Sequence, residues 1–378
     1  MGHTTRSIGL SLSLVTSLAF GCGGDGASGD GSAVVVGGSP AASGPAGTST
    51  PAAASGTATE DPASAGTPTD NGAAGAASEA SAAGSGAAVP AAGSDGSTGG
   101  GEMTATPIAE LPTPGPFPEV SDFSQPGPYT STTLVNVGPG SIYTVYLPQQ
   151  DPPDGAGNPL VAWTSGGGTS HAFYTLLPHL ASHGFVVITS NTIPGIGGEA
   201  LLGEEIIAGI DWALAEHARA GGMLEGRLDT TKIASTGYSM GSLATFMIAS
   251  DPRLTTTVHI SGGNMVPERV QNLHAPAAFI CGIPNPACTD LLSASCDIAG
   301  ANCELDFEGA DTQVFYATFE SGHLGILTSP FMERINAMTT AWLRHYLMGD
   351  TTLAPMFFGD GCDYCSDPDW TVERKGFQ

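Results

Sequence analysis

The chain has 378 residues, of which 36 are acidic, 10 basic and 54 glycine, for a net charge of −26. A charge of that sign disfavours nucleic-acid binding and strong attraction to anionic lipid, and suits an exported, soluble protein. No Asp-x-Asp-x-Asp-Gly loop accompanies the acids, so no metal site is expected.

Residues 1–22 carry Arg6, an apolar stretch from Ile8 to Phe20, then Gly21 and Cys22. This reads as a signal segment, too short to span a membrane. Ala19-Phe20-Gly21-Cys22 resembles a bacterial lipobox, in which Cys22 becomes the lipid-bearing first residue of the mature chain. Phe20 stands where a small residue is usual, so plain secretion is the alternative. Residues 23–120 are Ala, Gly, Ser, Thr and Pro with scattered acids and show no period of 2 or 3.6. Such a segment cannot bury enough apolar surface to offset its ordering entropy, and reads as a disordered linker. Residues 121–378 are one domain's length and carry 26 of the acids and 9 of the bases.

Within that domain, 132–137 and 141–147 read as a β-hairpin near a sheet edge, joined by Gly138-Pro139-Gly140. Residues 159–163 form a short buried strand running into Thr164-Ser165-Gly166-Gly167-Gly168-Thr169. A helix is expected over 172–183, stopped by Gly184. Residues 185–189, Phe-Val-Val-Ile-Thr, are a continuous apolar strand of the kind covered on both faces. Leu202, Ile206, Ile210 and Leu214 mark an amphipathic helix over 201–219. Further strands are expected at 233–236, 257–260, 277–281 and 314–319, and a closing helix at 331–346, before an irregular tail. Trp163 and Trp212 read as core packing. Strand and helix alternate, which predicts an α/β fold with a doubly wound, mostly parallel sheet and flanking helices.

Beyond Cys22 six cysteines remain, an even set that implies disulfides in an exported chain. Cys362-Asp-Tyr-Cys365 has neither a histidine pair nor a second Cys-x-x-Cys nearby and reads as a local disulfide in the tail. Cys281, Cys288, Cys296 and Cys303 fall within 23 residues of chain and pin one loop, with three connectivities open.

Gly237-Tyr238-Ser239-Met240-Gly241 follows a strand and opens a helix. A chain so rich in glycine yields a Gly-x-Ser-x-Gly by chance about once, but this match lies outside the low-complexity region and in the context that makes such a serine a nucleophile. A serine needs a base, and the base needs a partner to orient its ring. His323 follows the last strand between Gly322 and Gly325. His171, His179, His183, His217 and His259 lie on helices, on a strand or beside the site mouth and read as surface or core residues. The acid should fall between Ser239 and His323. Asp290, Asp297, Asp306 and Asp311 all qualify, and spacing does not decide among them. One oxyanion donor is expected at the Met240 N–H.

Two segments carry a resemblance: 180–189, Leu-Ala-Ser-His-Gly-Phe-Val-Val-Ile-Thr, and the pentapeptide at Ser239. Both look like the bacterial cutinase and polyester-hydrolase family of the α/β-hydrolase superfamily, near the dienelactone-hydrolase-like esterases, and the likeness covers most of 130–348. It implies the α/β-hydrolase fold and a serine esterase that needs no cofactor. Related esterases carry an Asp-Ile-Ala step and a Gly-His-x-Gly step, matched by Asp297-Ile298-Ala299 and Gly322-His323-Leu324-Gly325. The resemblance therefore assigns Asp297 as the acid, with Asp290 and Asp306 as alternatives, and its Pro-Gly-aromatic-Thr pattern places the second oxyanion donor at Gly168. Two aromatic residues of the polyester hydrolases are missing, one replaced by Gly168 and one by the run Ser261-Gly262-Gly263-Asn264, so small or aliphatic esters are favoured over aromatic polyesters. The expected partner is a small-molecule or polymeric ester, the protein a monomer, and membrane attachment only through the N-terminal lipid. Rival readings are a lipid acylhydrolase resembling the platelet-activating-factor type, and a catalytically silent, surface-displayed binding module.

Overall fold

The computed structural model describes residues 115–195, 197–264, 266–283 and 303–377. The expectations for the leader, the linker as far as residue 114, Cys22, Cys288, Asp290, Cys296 and Asp297 lie outside the described residues. Among those described, nine strands form one sheet in the order β1-β2-β4-β3-β5-β6-β7-β8-β9. β1 (Ser131–Val137) and β2 (Tyr143–Pro148) form the expected antiparallel hairpin at one edge. β3 (Asn158–Thr164), β4 (Val186–Ser190), β5 (Leu228–Tyr238), β6 (Leu254–Ile260), β7 (Ala277–Gly282) and β8 (Val314–Phe319) run parallel, and β9 (Thr371–Lys375) closes the other edge antiparallel to β8.

The parallel strands are apolar on both faces because helices cover both. In β3, Val161 and Trp163 pack toward α1 (Leu176–Ser182) and α5 (Phe331–Met348), while Leu160 and Ala162 pack toward α2 (Glu199–Ala218). Trp163 is fully buried, and Trp212 is half-buried and stacks on Tyr143. α2 buries Leu202, Ile206 and Ile210 but then Ala213 rather than Leu214. Steps of four residues advance roughly 40° each around an α-helix, so the fourth member of that series drifts to the rim of the buried stripe.

Three expectations change. The helix foreseen at 172–183 is split into a 3-10 turn, His171–Phe173, and α1, because Tyr174 between them is extended. The tail is not irregular: α6 (Ala354–Phe357), α7 (Asp363–Ser366) and β9 organise it, and Trp370 packs on Phe319. The charged segment Thr-Val-Glu-Arg-Lys of β9 gains its strand conformation from the ladder with β8, a tertiary effect that outweighs weak local propensity. Residues 115–120, assigned by composition to the linker, pack on the domain, with Phe117 and Val120 against the core and the Gly115 N–H donating to the Met348 carbonyl.

Cys362 and Cys365 are bonded to each other as expected, and Cys281 is bonded to Cys303. The second bridge ties α4 (Cys303–Gly309) to β7.

Candidate active site

Because β3, β5 and β8 are parallel, the segments that follow them emerge at the same edge of the sheet. These segments carry the tri-glycine turn, Ser239 and His323. β5 passes into α3 (Met240–Ile248) through Ser239 alone, whose φ of 54° and ψ of −117° are strained for a residue with a side chain. The two flanking glycines make so sharp a turn feasible. A Cβ on Gly237 would lie 2.3 Å from the Gly241 carbonyl oxygen, and one on Gly241 would lie 2.0 Å from that of Thr164. Ser239 occupies the N-cap of α3, yet its hydroxyl makes no capping bond. Ser239 Oγ instead lies 3.0 Å from His323 Nε2.

His323 opens a 3-10 turn behind Gly322, whose φ of 64° lets the chain reverse directly after β8. His323 is 7% exposed and so largely shielded from bulk water. The His323 carbonyl accepts from Tyr238 Oη at 2.9 Å, and the Gly322 N–H donates to the Ile283 carbonyl at 2.9 Å. The base is thus held to the strand that bears Ser239 and to the segment leaving β7.

Met240 is the first residue of α3, and its N–H has no bond within the helix, as expected of a first-turn amide. The helix dipole adds a partial positive charge there. The tri-glycine turn lies opposite, and a Cβ on Gly167 would touch Met240 Cε at 3.2 Å. Gly168, the residue assigned by resemblance as second donor, gives its N–H to the Pro194 carbonyl at 2.8 Å. A contact between residues so far apart in sequence leaves no local signal. Gly168 has a φ of +71° and open space where a side chain would project.

Two alternative acids are accounted for. Asp306 is 2% exposed, and its carboxylate accepts from the Asn264 N–H at 2.5 Å. Burial pushes its pKa up to about 7, against the opposing effect of that N–H. Asp311 is exposed and precedes β8, which puts it at the opposite end of that strand from His323. Three of the other candidate histidines have structural partners. His259 is buried against Phe246 at 3.8 Å between ring centroids and bonds Thr257, and burial holds its pKa down to about 3. His171 bonds Tyr146 Oη through Nδ1 at 2.9 Å, and His217 Nδ1 accepts from the Leu228 N–H at 3.0 Å.

Two further aromatic residues belong to this site, although the sequence pattern did not single them out. Tyr174 reaches the tri-glycine turn and Tyr238 reaches His323.

The arrangement defines an α/β protein with a strained serine at a strand-to-helix turn, within proton-transfer distance of a histidine. Comparison with known proteins narrows that class. The family described as PET hydrolase-like matches residues 115–358, and the chain belongs to it. Cutinase 1 of Thermobifida cellulosilytica and cutinase of Thermobifida fusca (strain YX) are each 33% identical to the chain over 108 residues. That stretch is 28% of this chain and spans 38% and 34% of the two relatives, respectively.

Proposed function

We propose that the protein is an exported serine esterase that cleaves carboxylic esters through an acyl-enzyme. The observation that carries this reading is the 3.0 Å approach of Ser239 Oγ to His323 Nε2 at a strained strand-to-helix turn. His323 takes the Ser239 proton as Oγ attacks the ester carbonyl, and returns it to the departing alcohol; water then releases the acid by the reverse sequence. Asp297 is the residue assigned to orient the ring and stabilise the imidazolium. The Met240 N–H is one oxyanion donor. The second comes from the tri-glycine turn. With the Gly168 N–H occupied by Pro194, Gly167 beside Met240 takes that role in the closed turn, and Gly168 takes it only if the Pro194 contact opens.

The family membership and the two cutinases support ester chemistry. The substrate is a small or aliphatic ester, polymeric or not. Phe173 and Ile193, 63% and 59% exposed, follow β3 and β4 and give an apolar rim, while Gly168 and the Ser261–Asn264 run supply no aromatic wall. Two formed disulfides support passage through an oxidising compartment. Cys22 would anchor the chain through the linker, with the ester hydrolase domain as a monomer.

Initial rates on p-nitrophenyl esters from acetate to palmitate, beside films of an aliphatic and an aromatic polyester, test this reading. Saturable hydrolysis is expected for short and medium acyl chains, with product release from the aliphatic film at least about tenfold faster than from the aromatic one. Equal rates on both films would overturn the specificity. Absence of turnover on every ester would overturn the activity and favour the binding module.

A further inference from the structure

Around Ser239 two tyrosines join parts of the site that are far apart in sequence. Tyr174 Oη accepts the Gly166 N–H at 2.9 Å and lies 2.5 Å from Thr169 Oγ1, which bonds the Gly166 carbonyl at 2.6 Å. Thr169 has one hydroxyl proton and spends it on that carbonyl, so the Tyr174 hydroxyl donates to Thr169. The result is a closed ring running Gly166 N–H, Tyr174 Oη, Thr169 Oγ1, Gly166 carbonyl. It fixes both peptide groups that flank Gly166 and so sets the direction of the amides that follow. Tyr174 is 2% exposed and packs on Trp163, so the ring is shielded from competing water.

Tyr238, also 2% exposed, stands beside Tyr174 with 5.7 Å between ring centroids. Its hydroxyl donates to the His323 carbonyl at 2.9 Å, and its ring lies 5.1 Å from the imidazole. Its edge also fills the space over Gly166, where a Cβ would meet Tyr238 Cδ1 at 2.6 Å. One side chain therefore touches the tri-glycine turn, precedes Ser239 in the chain and holds the backbone of His323.

We propose that Tyr174 and Tyr238 are positioning residues that lock the oxyanion turn and the base into one rigid unit around Ser239. The proposal rests on the esterase reading, since it assigns the two tyrosines to that same site. Neither phenol meets the substrate. Their effect should fall on kcat, through the relative placement of donor amides and imidazole, and leave ester binding nearly untouched.

The test is a double-mutant cycle of Tyr174→Phe and Tyr238→Phe on p-nitrophenyl butyrate, with the rate of fluorophosphonate inactivation as a second readout. Each single change removes one oxygen and keeps the ring. Each is expected to lower kcat about tenfold with KM changed less than about twofold, and the double variant to lose about thirtyfold rather than the roughly hundredfold of independent sites. Inactivation should slow in parallel for Tyr238→Phe. Wild-type kcat in both variants, a loss confined to KM, or multiplicative losses in the double variant would overturn the proposal. If Tyr174→Phe does not fold, Thr169→Val opens the same ring at its other hydroxyl, and an unchanged kcat there is equally contrary. A wild type that neither hydrolyses the ester nor reacts with the phosphonate overturns the esterase reading itself, whereas an active wild type with unaffected tyrosine variants overturns only this inference.

Discussion

Replacing His323 by alanine is expected to lower kcat on p-nitrophenyl butyrate by about 10⁴- to 10⁶-fold, with KM changed little. A serine hydroxyl has negligible nucleophilicity at neutral pH until a base takes its proton. Nε2 of His323 is 3.0 Å from Ser239 Oγ, whereas the other histidines weighed as bases are held by different partners. Tyr146 holds His171, Thr257 and Ser242 hold His259, Leu228 holds His217, Gln125 holds His183, and His179 packs on His183 with 4.6 Å between ring centroids. None can replace the base, so the variant should keep only what the oxyanion donors and binding supply. Circular dichroism and thermal unfolding check that the fold is retained. A variant with more than about one-tenth of wild-type kcat would contradict the role of His323.

The second large effect is on stability in acid. His183 and His259 are 0% and 1% exposed, and each has its pKa pushed down to about 3. Burial is the main cause for both; for His183 the neighbouring His179 and Arg344 add to it. With folded values below the unfolded one, each contributes stability that is present above about pH 6.5 and is lost as pH falls toward 3. Both rings together should remove about 6 kcal/mol between pH 7 and pH 4. Asp306 works in the opposite sense. Its folded pKa of about 7 lies above the unfolded value, so its contribution is present at low pH and is lost as pH rises from about 4 to 7. It returns about 3 kcal/mol on acidification, so these three groups together leave a loss of about 3 kcal/mol at pH 4, to which the burial-lowered His171, His179 and His345 add. Urea unfolding at the two pH values reads this directly, and Asp306→Asn should steepen the loss because the counterweight is gone. Equal stability at pH 7 and pH 4, or an Asp306→Asn variant with the wild-type slope, would contradict the assignment.

What the sequence reveals depends on the range of the interaction that carries it. The Ser239 turn is local: strand, glycine, serine, glycine and helix are consecutive, and their meaning survives without tertiary knowledge. His323 is almost as legible, since it directly follows an apolar strand and is bracketed by glycines. The sheet and its layering follow from uninterrupted apolar runs such as 185–189. By contrast, Tyr238 meets His323 across 85 residues, and no spacing rule links them. Gly168 reads as a donor by its motif, but its N–H belongs to Pro194, a contact between the segments after β3 and β4. Asp306 and Asp311 are set apart only by geometry, one being committed to Asn264 and the other at the far end of β8. β9 leaves little signal of its own because three of its five residues are charged and its conformation is imposed by pairing with β8.

Under the proposed mechanism Ser239 is an activated nucleophile. Treating the full chain with a fluorophosphonate at neutral pH and mapping the modified peptide by mass spectrometry tests it most directly. Stoichiometric modification is expected at Ser239, lost in Ser239→Ala together with ester hydrolysis. An active protein left unmodified, one modified at another serine, or a Ser239→Ala variant with wild-type turnover would contradict it.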